Sequence, residues 1–295
     1  MQASWMVLAS LFFATMGVCI KYASEYFHTF DLVFYRGVIG IVFMAVICRQ
    51  QGVSWRTPIA MMHVWRSVLG VFSLTAWFYA IAHLPLATAM TLNYMSSIWV
   101  AAFLLGGTLM VGRVQDMRRQ GPIVLTVMAG FVGVVMILRP TFEQDQLYAG
   151  LIGLLSGLGA ALAYIQVAAL GRMGEPEART VLYFSIGTAW TGAIGMWMEG
   201  PSEWVWPHAG WLLPMGLLAA LGQLCMTKAY SSGATLVVAN LQYSGIVFAA
   251  LYGLFLFGDQ IPLVGWAGMV LIIASGIAAT ALRKRTLPRP PAEEH

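Results

Sequence analysis

The residues able to do chemistry are few and stand in apolar surroundings. Arg36 lies in DLVFYRGVIG, one helical turn before Gly40, a small residue that leaves room for a guanidinium. An arginine there has three uses: it snorkels to the headgroups, it pairs with Glu25 or Asp31, or it waits in an interior for an anion that its planar fork can grip. Lys21 has Glu25 one turn on, which reads as an i,i+4 ion pair or as a second cation facing the same interior. Gln166 with Tyr164, and Tyr79 with Trp77, are amphipathic groups that act as inter-helix glue or as cavity wall.

The richest chemistry is duplicated. LATAMTLNYMSSIWVAAFLLG, Leu86 to Gly106, returns 147 positions later as GATLVVANLQYSGIVFAALYG, Gly233 to Gly253. Asn93 and Ser97 of the first copy align without a gap on Asn240 and Ser244 of the second, where Tyr243 stands beside them. An amide and a hydroxyl four residues apart share one helix face. Left unpaired in hydrocarbon, each would cost on the order of several kcal/mol, so the polar turn marks an interior. It serves either hydrogen bonding between helices or contact with a solute. Trp99 points about 120 degrees away from Asn93 and faces elsewhere.

Enzyme signatures are absent. His63 stands in HVWR, in an expected cytoplasmic loop with no carboxylate close in sequence, and neither a zinc-binding H-E-x-x-H nor a P-loop lysine occurs. Cys19, Cys48 and Cys225 fall inside apolar runs without metal-ligand spacing and read as small core residues. No cofactor or metal is expected.

The elements that position these groups follow from composition. Of 295 residues, 59% are apolar and 9% charged, against roughly 25% charged in a soluble domain. The net charge of +4 is not gathered into a basic face of the kind that binds nucleic acid. The pattern is that of an all-α integral membrane protein. Apolar runs predict ten spans, near 4–24, 31–49, 64–83, 87–111, 121–139, 148–171, 180–198, 209–230, 234–257 and 262–282. They form one transmembrane domain over 1–282, and residues 283–295, RKRTLPRPPAEEH, read as a disordered cytoplasmic tail.

Placing the N-terminus in the cytoplasm puts most of the 16 Lys and Arg, including Arg56, Arg66, Arg118 and Arg179, on the inner side. Both termini are then cytoplasmic. An offset of five spans reverses direction across the bilayer, so the two copies of the repeat, about 4–140 and 148–282, are expected to be inverted. The prolines fall at helix ends, Pro122 included, so no proline-broken helix is expected. Gly153 and Gly157 form a G-x-x-x-G that reads as close helix packing.

Ten helices in two inverted halves resemble the drug/metabolite transporter superfamily, specifically its EamA family. The resemblance is carried by FFATMGVCIKY, by FYRG at Phe34 to Gly37, by HVWRSVLG at His63 to Gly70, by FYAIAHLPLATA at Phe78 to Ala89, by GVVMILRP at Gly133 to Pro140, and by LFGDQIPLVGWAGMVLIIASG at Leu256 to Gly276. Two features depart from it: the acidic residue that often follows the fourth and ninth helices is Asp259 in the second half but Gly112 in the first, and Phe12 or Phe13 stands for a common tryptophan in the first helix. The resemblance implies a bacterial inner-membrane secondary carrier for a small metabolite, an amino acid or a nucleoside-like compound. Its partners would be that solute, the lipid bilayer and a coupling proton or ion left open. A membrane scaffold or a channel are the competing readings.

Overall fold

The computed structural model describes residues 2–84, 86–110, 114–138, 147–204, 206–256 and 261–286. Among these residues the chain forms α1 (Gln2–Ala23), α2 (Thr29–Gln50), α3 (Ala60–His83), α4 (Leu86–Tyr94), α5 (Ser96–Met110), α6 (Val114–Leu138) and α7 (Leu147–Arg172). It continues with α8 (Glu177–Glu199), α9 (Trp206–Ala209), α10 (Leu212–Ser232), α11 (Thr235–Leu241), α12 (Ser244–Leu256) and α13 (Leu263–Thr286). Asp259 and Gly112 lie outside the described residues; of the tail expected to be disordered over 283–295, residues 283–286 instead continue α13, and the rest lies outside the described residues.

Among the described residues eight stretches are long and apolar enough to cross a membrane, and this is a multi-pass membrane protein. The other two long helices, α3 and α8, have 24 and 23 residues and carry more buried polar side chains. Their polar groups are turned inward. On α8, Thr180, Ser185 and Thr188 are buried and donate their hydroxyls to carbonyls one turn back, Pro176, Val181 and Phe184. The outer surface is apolar instead: Val42 and Val46 on α2, Leu125 on α6, Trp190 on α8 and Ile273 on α13 are exposed, as only lipid tolerates. An aromatic cluster at one end, Tyr22 on Trp211 and Phe27 and Tyr35 on Trp204, suits a headgroup interface.

Four pairings hold the bundle: α2 along α8, α6 along α13, α1 along α10 and α3 along α7. Glycines let the backbones touch. A Cβ at Gly37 would collide with the Ala189 backbone, and one at Gly133 would lie 2.7 Å from the carbonyl oxygen of Gly268. The G-x-x-x-G of α7 does the same for α4, since a Cβ at Gly157 would meet the Leu92 carbonyl oxygen at 2.5 Å.

Two expectations are corrected. The spans expected at 87–111 and 234–257 are each broken in mid-course, at Met95 between α4 and α5 and at Gln242–Tyr243 between α11 and α12. No proline causes this. The ladder tightens locally to i→i+3 bonds, Tyr243 N to Asn240 O and Ile246 N to Tyr243 O, which frees carbonyls that a continuous helix would occupy. Serines cover the freed groups: Ser97 donates to Ala239 O across the two halves at 2.7 Å, and Ser244 donates to Leu241 O at 2.7 Å. Conversely, Pro122 is inside a helix, because α6 begins at Val114, well before the expected boundary.

Candidate functional site

A cavity of about 460 Å³ opens between α1, α2, α3, α4, α7, α8, α10 and α12. Lys21 and Ser24, exposed at the end of α1, stand at one end of it, and Arg36, Arg66, Phe184 and Gln223 line it deeper in. Arg66 is 2% exposed and Arg36 7%, on different helices, yet both guanidinium groups rest on one ring: their Cζ atoms lie 3.9 Å and 5.5 Å from the Phe184 centroid. Arg66 Nη2 donates to Gln223 Oε1 at 3.2 Å, while Arg66 Nε and Nη1 and Arg36 Nη1 are buried without a partner. Gly70 makes this packing possible, since a Cβ there would come within 3.1 Å of Arg66 Nη1. Phe13, Trp77, Tyr94, Tyr164 and Tyr252 form aromatic walls. Tyr230 donates to Gln242 Oε1 and Gln242 Nε2 donates to Tyr164, which fixes the Tyr164 ring where it stacks on Tyr230 at 5.1 Å. No aspartate or glutamate is among the described residues that line the cavity.

Beyond Arg66, at the start of α3, lies a second polar cluster. Glu175, in the turn between α7 and α8, accepts from Thr57 Oγ1 at 2.7 Å, Arg179 Nη1 at 2.9 Å and His63 Nε2 at 3.1 Å. Arg179 Nε also donates to Ser54 O, and Tyr183 OH to Trp55 O, so the α2–α3 loop is clamped onto α8. His63 is fully buried and stacked on Tyr183, and its Nδ1 has no partner. A carboxylate only accepts, so the His63 Nε2 carries the hydrogen of this bond. Burial by itself would raise the Glu175 carboxyl, but the bonds from Thr57, His63 and Arg179 together hold it below the ordinary range.

The model of the EamA-like transporter family matches residues 1–139. A pseudopaline exporter of Pseudomonas aeruginosa is 33% identical over 281 residues, 94% of this chain and 95% of its own. The chain belongs to the EamA-like transporter family. A riboflavin transporter of Rhizobium johnstonii is 25% identical over 279 residues, covering 93% of this chain and 89% of its own. One solved crystal structure shares the fold with a TM-score of 0.81 at 17% identity, over 97% of this chain and 99% of its own.

Within this EamA-like fold the residues singled out from sequence separate. Arg36, Lys21 and Asn93 line the cavity, and Asn93 Nδ2 also donates to Ser156 Oγ at 3.2 Å. Arg36 is not paired with Asp31, which is committed elsewhere: it accepts from the backbone N–H groups of His28 and Ser202 and from the Ser202 hydroxyl. Ser97, Asn240 and Tyr243 are buried between helices. Asn240 Oδ1 accepts from Ser275, and Tyr243 sits between Tyr94 and Phe131. Ser244 caps the break in its own span. Gln166 is half-buried on α7, off the cavity wall, and Tyr79 is exposed, stacked on His83. Two residues placed in a cytoplasmic loop from sequence are corrected. Arg66 is a buried wall residue, and His63 does have a carboxylate, Glu175, 112 positions away. The signal for Arg66 lay in its position one turn before Gly70, the same Arg-x-x-x-Gly spacing that drew attention to Arg36.

Proposed function

We propose that this EamA-like protein is a secondary active carrier that moves a small metabolite by alternating access through the central cavity. The observation that carries the reading is a cavity lined by two buried arginines that meet no carboxylate among the described lining residues, with the Glu175 cluster packed beyond Arg66 at the start of α3. A scaffold has no use for buried uncompensated charge, and a channel would need a polar path past that cluster. The cavity size falls in the range of small-molecule sites.

Ten spans in two inverted repeats supply the machinery, with α4–α5 and α11–α12 each counted as one. Exchanging the halves maps α1 on α7 and α10 on α3, so the α1–α10 pairing maps onto α7–α3, while α2–α8 and α6–α13 map onto themselves. The breaks obey the same register, since Met95 and Gln242 are 147 positions apart. Symmetric bundles that rock about such a centre give alternating access. The positive residues orient the protein in the inner membrane with both termini cytoplasmic, so the cavity faces out and the Glu175 cluster closes the cytoplasmic end. A cysteine at position 203 should react with an impermeant maleimide in intact cells, and one at position 56 should react only in inverted vesicles. The reverse pattern overturns the orientation.

Spin labels at positions 56 and 173 bracket the cytoplasmic closure. Double electron–electron resonance should resolve two distance populations whose ratio changes when the closure is weakened by substitution. One fixed distance in every condition is the result a scaffold gives, and solute flux that never saturates is that of a channel.

A further inference from the structure

We propose that the cavity is built for an organic dianion, a solute with two negative acid charges to meet Arg36 and Arg66 and an unsaturated body to lie on the aromatic wall. The inference rests on the carrier reading and names its substrate class. Arginine keeps its proton in proteins, so burial cannot neutralise either guanidinium as it would a lysine. Arg66 has one neutral hydrogen-bond partner, Gln223, and Arg36 Nη1 and two Arg66 nitrogens have none. The described cavity wall offers no carboxylate. The missing charge must therefore come from what binds, and a monoanion would leave one cation buried and uncompensated. Both guanidinium groups pack on Phe184, which keeps them within reach of a single small solute. Lys21 at the outer end adds to the field that draws an anion in. The rest of the wall, Phe13, Trp77, Tyr94 and Tyr164, is flat and aromatic, suited to stacking on a conjugated body.

Two carboxylates and one phosphate monoester share this chemistry, and the test separates them. Purified protein is titrated calorimetrically with the straight-chain dicarboxylates from succinate to suberate, with isophthalate, with the monomethyl ester of each, and with phenyl phosphate. The expected result is binding of at least one diacid at least tenfold tighter than its own monoester. Arg36→Gln should then lower the diacid to the level of the ester and leave the ester unchanged. Tighter binding of phenyl phosphate than of every diacid assigns the two charges to one phosphate and keeps the dianion. Monoesters that bind as well as their diacids overturn the proposal, as does a protein that binds neither diacids nor phenyl phosphate. The wild-type ester comparison decides this even if Arg36→Gln does not fold. The label distances between 56 and 173 need no ligand: two populations without dianion binding sink this inference and leave the carrier, and a single distance sinks the carrier itself.

Discussion

Replacing Arg66 with leucine should weaken substrate binding by roughly 30-fold or more and, at the same time, raise the unfolding temperature. The second half of this expectation is what separates a binding residue from a structural one. Arg66 is 2% exposed, and among the described residues the Gln223 amide and the Phe184 ring are neutral partners that offset only part of its desolvation. Exchanging buried ionic groups for apolar ones of similar volume often stabilises by about 1–4 kcal/mol. Loss of the Gln223 bond takes back about 1–3 kcal/mol, which leaves a small net gain. Binding behaves oppositely: losing one member of a buried charge contact costs about 2–5 kcal/mol, or roughly 30- to 5,000-fold in affinity. Arg66→Lys keeps the charge without the planar fork and should fall between leucine and wild type. Thermal unfolding in detergent and equilibrium binding of the transported solute measure both quantities. A leucine variant that loses stability and keeps its affinity removes Arg66 from the site and makes it a helix clamp.

Glu175→Gln should open the cytoplasmic end. The carboxylate accepts three hydrogen bonds, two of them from the α2–α3 loop and α3 and one from Arg179 on α8. Glutamine keeps the size but loses the charge, and its amide nitrogen only donates, so either the bond from Thr57 or those from His63 and Arg179 lose their acceptor. Charge-assisted bonds are worth about 1.5–3 kcal/mol each, so a net loss of about 2–3 kcal/mol shifts the closed-to-open ratio by roughly 30- to 150-fold. Labels at 56 and 173 read that shift directly. Acid should act in the same direction. Because the folded-state carboxyl is held below the ordinary value of about 4.3, the stabilisation is complete above that pH and is lost as pH falls through the lower folded value. In Glu175→Gln that acid dependence should be gone. A wild-type distance distribution in Glu175→Gln would show that the cluster does not hold the closure.

The sequence by itself determined that the chain crosses a membrane many times, because that follows from local apolar runs too long for a soluble core. The duplicated Asn/Ser turn also identified interior positions correctly, since a polar face inside an apolar helix has to be satisfied by other protein: Ser97 and Asn240 are among the buried polar residues. What that turn does was decided by tertiary structure. Ser97 answers a carbonyl of Ala239, which becomes free only because α11 and α12 break, and no Gly or Pro at the break announced it. Arg36 was legible because it stood alone at depth. Arg66 and His63 were not, because a charged residue just inside a helix start has the same neighbours in sequence as one in a loop, and hydropathy averages cannot separate the two. Only the packing of α3 against α7 and α8 puts them inside, beside Phe184 and Glu175, residues more than a hundred positions away. Burial and pairing across such separations are properties of the assembled bundle, and the charge imbalance of the cavity exists only when eight helices contribute their walls to it.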